Sequence, residues 1–229
     1  MADERKQLVR DIIHKRRYRT YLEIGVLLGS SFFPVKAKRK IAVDPWFRFS
    51  KRTQLKETIK NIYNLRARFY EMTSDDFFKI HAKKLFEKKP VDICFIDGMH
   101  EYDYALRDVE NVVRYLQKDG LIILHDCNPA TADATVSFKE WESSGRKGNW
   151  NGNVWKTIVH LRSLRTDLSV FVVDADHGLG VVFKRPAEES LSLTQDQIRD
   201  LSYDDLHKNR QQWLNLKPVE YFYSLFQIY

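Results

Sequence analysis

This chain alternates between short β-rich apolar runs and longer segments of helical periodicity, and that alternation constrains its fold most strongly. The pattern is typical of a parallel sheet covered by helices on both faces, so we predict an α/β fold. The expected strands are residues 20–25, 40–44, 67–72, 91–97, 120–125, 168–174 and 179–184.

The last two predicted strands differ from the others in their connection. The segment between them, Ala175-Asp176-His177-Gly178, is short, polar and ends in glycine, as hairpin turns do. We therefore expect this pair to be antiparallel within a mostly parallel sheet.

Three further segments have apolar residues at helical spacing. Asp119-Gly120 follows the first of them and predicts a helix stop before the fifth strand. Ser192 or Thr194 precedes the third, and either is a suitable helix cap. The segments are the stripe Leu106, Val109, Val113 and Leu116, then residues 154–164, and then the stripe Ile198, Leu201 and Leu206.

The length of 229 residues fits one globular domain. We expect a basic N-terminal helix over residues 1–19, a core over 20–185 and a helical extension over 186–229. No apolar run approaches the roughly 20 residues that span a bilayer, and the charged start lacks a signal peptide's apolar block. Cys94 and Cys127 match no metal-ligand spacing, which indicates a reducing compartment. These features predict a soluble, cytoplasmic protein.

The net charge of +7 is concentrated in the first 60 residues, which hold 16 Lys or Arg and 6 Asp or Glu. A solvated basic face is the commoner cause of such clustering. Binding of an acidic glycan, a nucleotide sugar or a nucleic acid is the alternative.

Two glycines follow the first predicted strand. Glu23, Gly25, Gly29 and Ser31 lie in a segment that we expect to turn into a helix whose first N–H groups face an anionic ligand. Leu27 breaks the glycine spacing of dinucleotide sites. A tight strand-to-helix turn without a ligand is the alternative.

The next two predicted strands also end in polar residues. Asp44 closes the second strand about 20 residues beyond the start of the glycine turn, where such folds hold a ribose diol; turn initiation is the alternative. Ser74 and Asp75 follow the third strand and are candidates to meet an adenine edge. Thr73 or Ser74 acting only as a helix cap is equally consistent.

The densest polar cluster follows predicted strands four and five. Asp97, His100, His125 and Asp126 lie at carboxyl ends of strands, where ligands bind in open α/β sheets. Carboxylates there can hold Mg²⁺, and His100 is suited to act as a general base. A hydrogen-bonded network without a metal is the alternative.

Taken in order, these motifs resemble the class I S-adenosylmethionine-dependent methyltransferases, particularly the catechol O-methyltransferase-like and bacterial small-molecule O-methyltransferase group. The resemblance covers about residues 18–185. It rests on the string E-x-G-x-x-x-G-x-S, the acidic end of strand two, and F-I-D-G-x-H-x-Y followed by H-D. It implies a Rossmann-like, seven-stranded sheet with an antiparallel C-terminal hairpin, and a catalytic core over residues 20–185.

The resemblance also implies roles for individual residues. Asp97 and Asp126, with His125 as an alternative, would bind Mg²⁺ or another divalent cation, although His125-Asp126-Cys127 replaces the family's two adjacent oxygen ligands. His100, three residues beyond Asp97, would be the base. The residues implied to bind S-adenosylmethionine are Glu23, Gly25, Gly29, Ser31, Asp44, Ser74 and Asp75.

The implied activity is O-methylation of a small hydroxylated substrate, with a sugar or glycan intermediate as one candidate. Residues 128–156 form a candidate substrate lid, and Trp141, Trp150 and Trp155 are either pocket walls or packing residues. The alternatives are a nucleic-acid methyltransferase and a donor-binding or partner-binding protein without turnover. A nicotinamide dehydrogenase fits least well, and the aromatic tail leaves a homo-oligomer open.

Overall fold

The computed structural model describes residues 4–228. The first three residues of the predicted N-terminal helix and the last residue of the tail lie outside that range. The strands are β1 (Thr20–Ile24), β2 (Arg39–Asp44), β3 (Arg68–Glu71), β4 (Val91–Ile96), β5 (Leu116–Leu124), β6 (Leu168–Val173), β7 (Leu179–Lys184) and β8 (Leu216–Lys217). The α-helices are α1 (Glu4–Arg16), α2 (Lys51–Lys60), α3 (Ser74–Phe77), α4 (Lys83–Phe86), α5 (Tyr102–Tyr115), α6 (Phe138–Ser143), α7 (Trp155–Leu164), α8 (Gln195–Asp200), α9 (Tyr203–Trp213) and α10 (Val219–Leu225).

The chain forms two compact units. The first unit runs to Gly98 and also contains Arg107–Ile122. The second contains Met99–Leu106 and Ile123–Gln227. The donor-binding residues predicted from the sequence all belong to the first unit, whereas His100, His125 and Asp126 belong to the second.

In the first unit the strand order is β3-β2-β1-β4-β5, and β1 pairs in parallel with both β2 and β4. All five residues of β1 are buried, as are five of the six in β2 and in β4. Strands buried on both faces read as continuous apolar runs rather than as alternating ones, which is why the sequence located them well.

In the second unit the order is β5-β7-β6-β8, with β5 contributing only its last residues. β6 and β7 are antiparallel and joined by the turn that contains Asp176, His177 and Gly178. All three have positive φ, which suits a tight hairpin connection. The predicted antiparallel hairpin in a mostly parallel sheet is therefore confirmed, and β8 is an additional short strand parallel to β6.

The helix predicted after Gly29 is absent, which corrects the sequence interpretation. The segment from Gly25 to β2 forms turns, with one helical-type bond from the Phe33 amide to the Gly29 carbonyl, and Pro34 has no amide hydrogen to extend it. Buried side chains satisfy the carbonyls of this segment instead. Lys40 bonds to those of Phe32, Phe33 and Val35, while Asn61 and Asn64 bond to the same stretch.

The helix expected to stop at Asp119-Gly120 ends earlier than predicted. α5 ends at Tyr115, and β5 already begins at Leu116, the residue that completes the apolar stripe of the helix. Leu116 is buried in β5, just as it would be on the buried face of a helix. Its apolar character therefore did not distinguish helix from strand at this position.

Residues 186–229 contain the helices α8, α9 and α10 and the short strand β8. Thr194, rather than Ser192, caps α8 through a capping box with Gln197. Leu201 ends α8, and Leu206 is buried within α9. α10 begins at Val219, directly after Pro218, and contains the first residues of the aromatic tail. Across residues 4–228, no helix combines the length and the apolar character that crossing a bilayer requires.

Candidate functional site

Glu23 lies on β1 with no exposed surface, and it is joined to Ser31, another predicted donor-binding residue. The Ser31 hydroxyl donates to Oε1 of Glu23 at 2.6 Å. The Tyr21 hydroxyl, also buried, donates to Oε2. The structure therefore brings two predicted site residues into one hydrogen-bonded pair and adds a tyrosine that the sequence did not single out.

Burial raises the pKa of Glu23 from its ordinary value of 4.5 to about 7, although the hydrogen bonds from Ser31 and Tyr21 act in the opposite direction. Asp97 raises this pKa further, and Lys40 lowers it. Burial lowers the pKa of Lys40 itself to about 7. Both buried groups therefore change protonation near neutral pH.

Glu23 is expected to make the free energy of unfolding fall as pH rises between about 4.5 and 7. In that window the unfolded chain releases a proton that the folded chain retains, so raising the pH favours unfolding. The effect amounts to roughly 3 kcal/mol for a fully buried carboxyl with this shift. Chemical denaturation of wild type and Glu23→Gln at a series of pH values measures it.

Glu23→Gln should have a flatter pH dependence than wild type, because its amide does not titrate. Burial also raises the pKa of Asp108 to about 7. Asp108 therefore makes the free energy of unfolding fall with rising pH in both proteins. Glu87→Gln, at an exposed position, is the control and should leave the wild-type slope unchanged. Equal slopes for wild type and Glu23→Gln would contradict the prediction.

Gly25 and Gly29 have positive φ values of 81° and 74°, a region that other residues rarely adopt. A Cβ atom on Gly25 would lie 1.9 Å from the carbonyl oxygen of Asp97. One on Gly29 would lie 2.3 Å from the ring of Phe33. Each glycine therefore permits both a backbone turn and a close contact with the protein.

Asp44 ends β2 and is buried. Its Oδ2 accepts the backbone N–H of Leu27 at 2.8 Å, and its Oδ1 accepts that of Trp46 at 2.8 Å. The second bond is the turn initiation that the sequence offered as an alternative, while the first joins β2 to the glycine segment. Because a carboxylate oxygen has two lone pairs, Asp44 can still accept two further hydrogen bonds.

Thr73, not Ser74, caps α3, since its side chain accepts the amide of Asp76. Ser74 is hydrogen-bonded to the buried carboxyl of Asp108, a residue of α5 that the sequence analysis did not single out. Asp75 pairs with Arg107 at 3.0 Å at the surface. The assignment of Ser74 and Asp75 to adenine stays a prediction.

Asp97 follows β4 and is the last predicted site residue in the first unit. Its Oδ2 lies 3.8 Å from the Arg5 guanidinium on α1, and both side chains are mostly buried. The basic N-terminal helix therefore supplies a cation to the carboxyl end of β4.

His100 contacts one residue of the predicted lid, Trp150, through its ring and through Nδ1. Its ring stacks on Trp150, with centroids 5.0 Å apart. Its Nδ1 lies 2.8 Å from the Trp150 carbonyl oxygen, and a carbonyl can only accept a hydrogen bond. Nδ1 is thus the donor, and in the neutral ring Nε2 carries the lone pair that can take up a proton.

The carboxylate of Asp126 joins the predicted residues of the second unit. Its Oδ2 lies 3.2 Å from Nδ1 of His100 and 3.0 Å from Nδ1 of His125. Its Oδ1 accepts a hydrogen bond from the buried amide of Asn151. Asp126 has a φ of +61°, so its backbone is held in a conformation that aspartate adopts more readily than most residues.

The segment 128–156 is less irregular than the sequence suggested, since it contains a short 3₁₀ helix (Ala132–Thr135) and α6. Trp141 stacks on Trp150 at 4.8 Å, which extends the stack that begins at His100. Trp155 is only 1% exposed and belongs to the core. Position 152 requires glycine, because a Cβ atom there would lie 1.8 Å from the His100 carbonyl oxygen.

The donor atoms in the second unit do not suit Mg²⁺, which prefers several oxygen ligands. Of the predicted ligands in this unit only Asp126 is a carboxylate, and its Oδ1 already accepts a hydrogen bond from the Asn151 amide. The geometry at His100 requires a protonated Nδ1, so only Nε2 of this ring has a lone pair for a cation. The metal assignment of Asp97 and Asp126, with His125 as the alternative, stays a prediction.

Three hydrogen-bonding residues of these clusters, Asp108, Lys40 and Asn151, were not predicted from the sequence, and only one of them has a periodicity signal. Asp108 follows Ala105 by three residues and precedes Val112 by four, so helical spacing places it on the buried face of α5. Lys40 and Asn151 lack such a signal. Their partners lie on other segments of the chain.

Comparison with known proteins agrees with this geometry. Residues 22–127 match the family model Methyltransf_24, described as a methyltransferase domain. A 117-residue segment is 32% identical to the uncharacterized protein R132 of Acanthamoeba polyphaga mimivirus and covers 47% of this chain. The matched segment spans about half of that relative, 51% of its length.

Two solved structures share the fold. The O-methyltransferase TomG from Streptomyces achromogenes, in complex with SAM, has a TM-score of 0.56 at 11% identity, with 81% of each chain covered. The O-methyltransferase from Bacillus cereus, in complex with SAH, has a TM-score of 0.54 at 14% identity, with 79% of this chain and 81% of that chain covered. Residues 22–127 are therefore similar to a methyltransferase domain, and the chain shares the Rossmann-like fold of these structures.

Proposed function

We propose that this protein is an S-adenosylmethionine-dependent O-methyltransferase that acts on a hydroxyl group of a small molecule. The observation that carries the proposal is the Asp44 carboxylate, which is buried at the end of β2 and bonded to the glycine segment at Leu27. That segment also contains Ser31, which is paired with Glu23. A rigid acceptor beside a glycine turn suits the ribose diol of the donor.

When bound, S-adenosylmethionine supplies a methyl group that is already activated on a sulfonium. The residues of the chain then need to align donor and acceptor and to remove the acceptor's proton. We assign Asp44 to the ribose and Glu23 with Ser31 to the methionine end. Gly25 and Gly29 shape the turn, and Ser74 and Asp75 are assigned to the adenine side.

His100 is the proposed general base. The Trp150 carbonyl and the Asp126 carboxylate fix the proton on Nδ1, so the lone pair of the neutral ring lies on Nε2. The proposed substrate is a small hydroxylated compound that lies beside the aromatic stack of His100, Trp150 and Trp141. A sugar or glycan intermediate is one candidate, because sugar rings pack well on aromatic faces. No step of this mechanism passes through a metal.

Asp44→Asn is expected to weaken binding of S-adenosylmethionine and S-adenosylhomocysteine by about 10- to 100-fold, because an amide accepts only one of two hydroxyl donors well. The amide keeps the size of Asp44 and one acceptor for a backbone N–H. Calorimetric titration of both ligands, with and without Mg²⁺, measures the change.

Asp204→Asn, at an exposed position on α9, is the control and should bind both ligands as wild type does. If wild type binds neither ligand, the donor assignment and the methyltransferase proposal both fail. If Asp44→Asn binds as tightly as wild type, only the role of Asp44 fails.

A further inference from the structure

The first unit carries a strip of exposed apolar side chains that the proposed reaction does not use. The strip consists of Leu55 and Ile59 on α2 with Ile62 and Leu65 on the 3₁₀ turn that follows (Ile62–Arg66). Their exposed fractions are 63%, 78%, 75% and 71%, and α2 has no buried residue. We call these four residues and the cations around them the α2 surface.

These four residues form two pairs on consecutive elements, separated by Asn61, whose backbone is extended. Ile59 follows Leu55 by four residues on α2, which is the spacing of neighbours on a helix face. Leu65 follows Ile62 by three, and in a 3₁₀ turn such side chains overlie one another. The strip, called the stripe below, therefore consists of two adjacent exposed pairs on consecutive elements and not of four scattered residues.

The element that carries the stripe is firmly anchored. Ser50 caps the start of α2. Behind the stripe, the buried side chain of Asn61 donates to the carbonyls of Phe33 and Val35, and that of Asn64 donates to the carbonyl of Phe33. The exposure of the stripe thus belongs to the folded unit and does not come from a loosely held helix.

The segment that carries the stripe is also rich in exposed basic side chains. Residues 48–68 contain seven lysines and arginines, all exposed, and a single acidic residue, Glu57, which bonds to Lys60 at 2.6 Å. The Arg48 guanidinium lies 4.6 Å from the ring centre of Trp46, which is itself 63% exposed. The seven cations are Arg48, Lys51, Arg52, Lys56, Lys60, Arg66 and Arg68.

We propose that the α2 surface binds an anionic lipid bilayer at its headgroup region. Exposed aliphatic side chains together with several cations and a tryptophan in one short segment are the composition of interfacial membrane helices. A nucleic acid would use the cations but would leave four exposed aliphatic side chains without a role. The bilayer accounts for both features, because the chains enter the boundary between headgroups and acyl tails while the cations meet anionic headgroups.

Co-sedimentation of the full chain with vesicles tests this proposal. The protein should bind vesicles of phosphatidylcholine and phosphatidylserine in equal parts, and binding to pure phosphatidylcholine should be at least about tenfold weaker. The double variant Ile59→Ser/Ile62→Ser and the double variant Lys56→Glu/Lys60→Glu should each weaken binding to the mixed vesicles by about tenfold or more. Raising the salt concentration should also weaken it.

Ile80→Ser is the matched control, since Ile80 is 62% exposed but lies on a different helical segment. It should bind the vesicles as wild type does. Failure of the wild type to bind mixed vesicles overturns the proposal, as does unchanged binding by both double variants. If the protein does not bind vesicles but forms a dimer that Ile59→Ser/Ile62→Ser abolishes, the surface is instead a dimer interface. If it does not bind vesicles but binds RNA in a salt-sensitive way, the surface is instead an RNA-binding site. Donor binding measured on the same samples reports on the methyltransferase proposal separately.

Discussion

Replacement of His100 by glutamine is expected to lower turnover by about 100- to 10,000-fold, the usual contribution of a general base. Glutamine keeps the approximate size of the ring but cannot take up a proton near neutral pH. The affinity for S-adenosylmethionine should stay within about twofold of wild type, because the proposed donor residues lie in the first unit. Release of S-adenosylhomocysteine in the presence of a panel of phenolic and sugar acceptors measures turnover.

His207→Gln serves as the matched control. His207 also stacks on an aromatic ring, that of Tyr203, but it lies on α9 and has no proposed role. Turnover by His100→Gln at the wild-type rate would remove the base assignment while leaving donor binding intact. Asp126→Asn should cause a smaller loss and a shifted pH profile, since asparagine tolerates the positive φ but lacks the charge that orients His100.

Gly25→Ala is expected to destabilise the protein by about 3 kcal/mol or more, or to prevent folding. The new Cβ would lie 1.9 Å from the Asp97 carbonyl oxygen, so the turn after β1 and the end of β4 would have to separate. The positive φ adds a further cost of roughly 1 kcal/mol. Chemical denaturation, or the yield of folded protein where the variant does not accumulate, measures the effect.

Gly148→Ala separates the cost of the positive φ from the cost of the close contact. Gly148 has a φ of +77°, close to that of Gly25, but a Cβ added there has no atom within 4 Å. It should therefore lose only the roughly 1 kcal/mol that belongs to the backbone conformation. If the two variants are equally stable, the close contact with Asp97 has no energetic importance.

The sequence predicted β1, β2 and β4 because nearly every residue of each strand is buried. A buried strand must be apolar over four to six residues whatever its neighbours are, so β1, β2 and β4 are visible without tertiary information. The hairpin of β6 and β7 was visible for a different reason, since the polar, glycine-containing turn between the strands is a local requirement.

The sequence wrongly predicted a helix where side chains, and not helical backbone amides, bond to the backbone carbonyls. A glycine turn after a strand usually leads into a helix, but here Lys40 and Asn64 satisfy carbonyls of the segment from Phe32 to Val35. Asn64 lies 31 residues from Phe33, and Lys40, although close in sequence, belongs to the next strand, so no local pattern predicts the bonds. The eighth strand was missed because β8 has only two residues and no periodicity.

For the site, sequence alone determined which residue types follow which strands: Asp44 after one, Asp97 and His100 after another, and His125 with Asp126 after a third. Tertiary structure decided what each can do. It gave Glu23 its protonation near neutral pH through burial, and it placed the proton on Nδ1 of His100 through the Trp150 carbonyl. The positions of the strands can be predicted locally because hydrophobic burial and turn geometry act over a few residues. Protonation and tautomer depend on desolvation and on partners that only the folded chain brings within hydrogen-bonding distance.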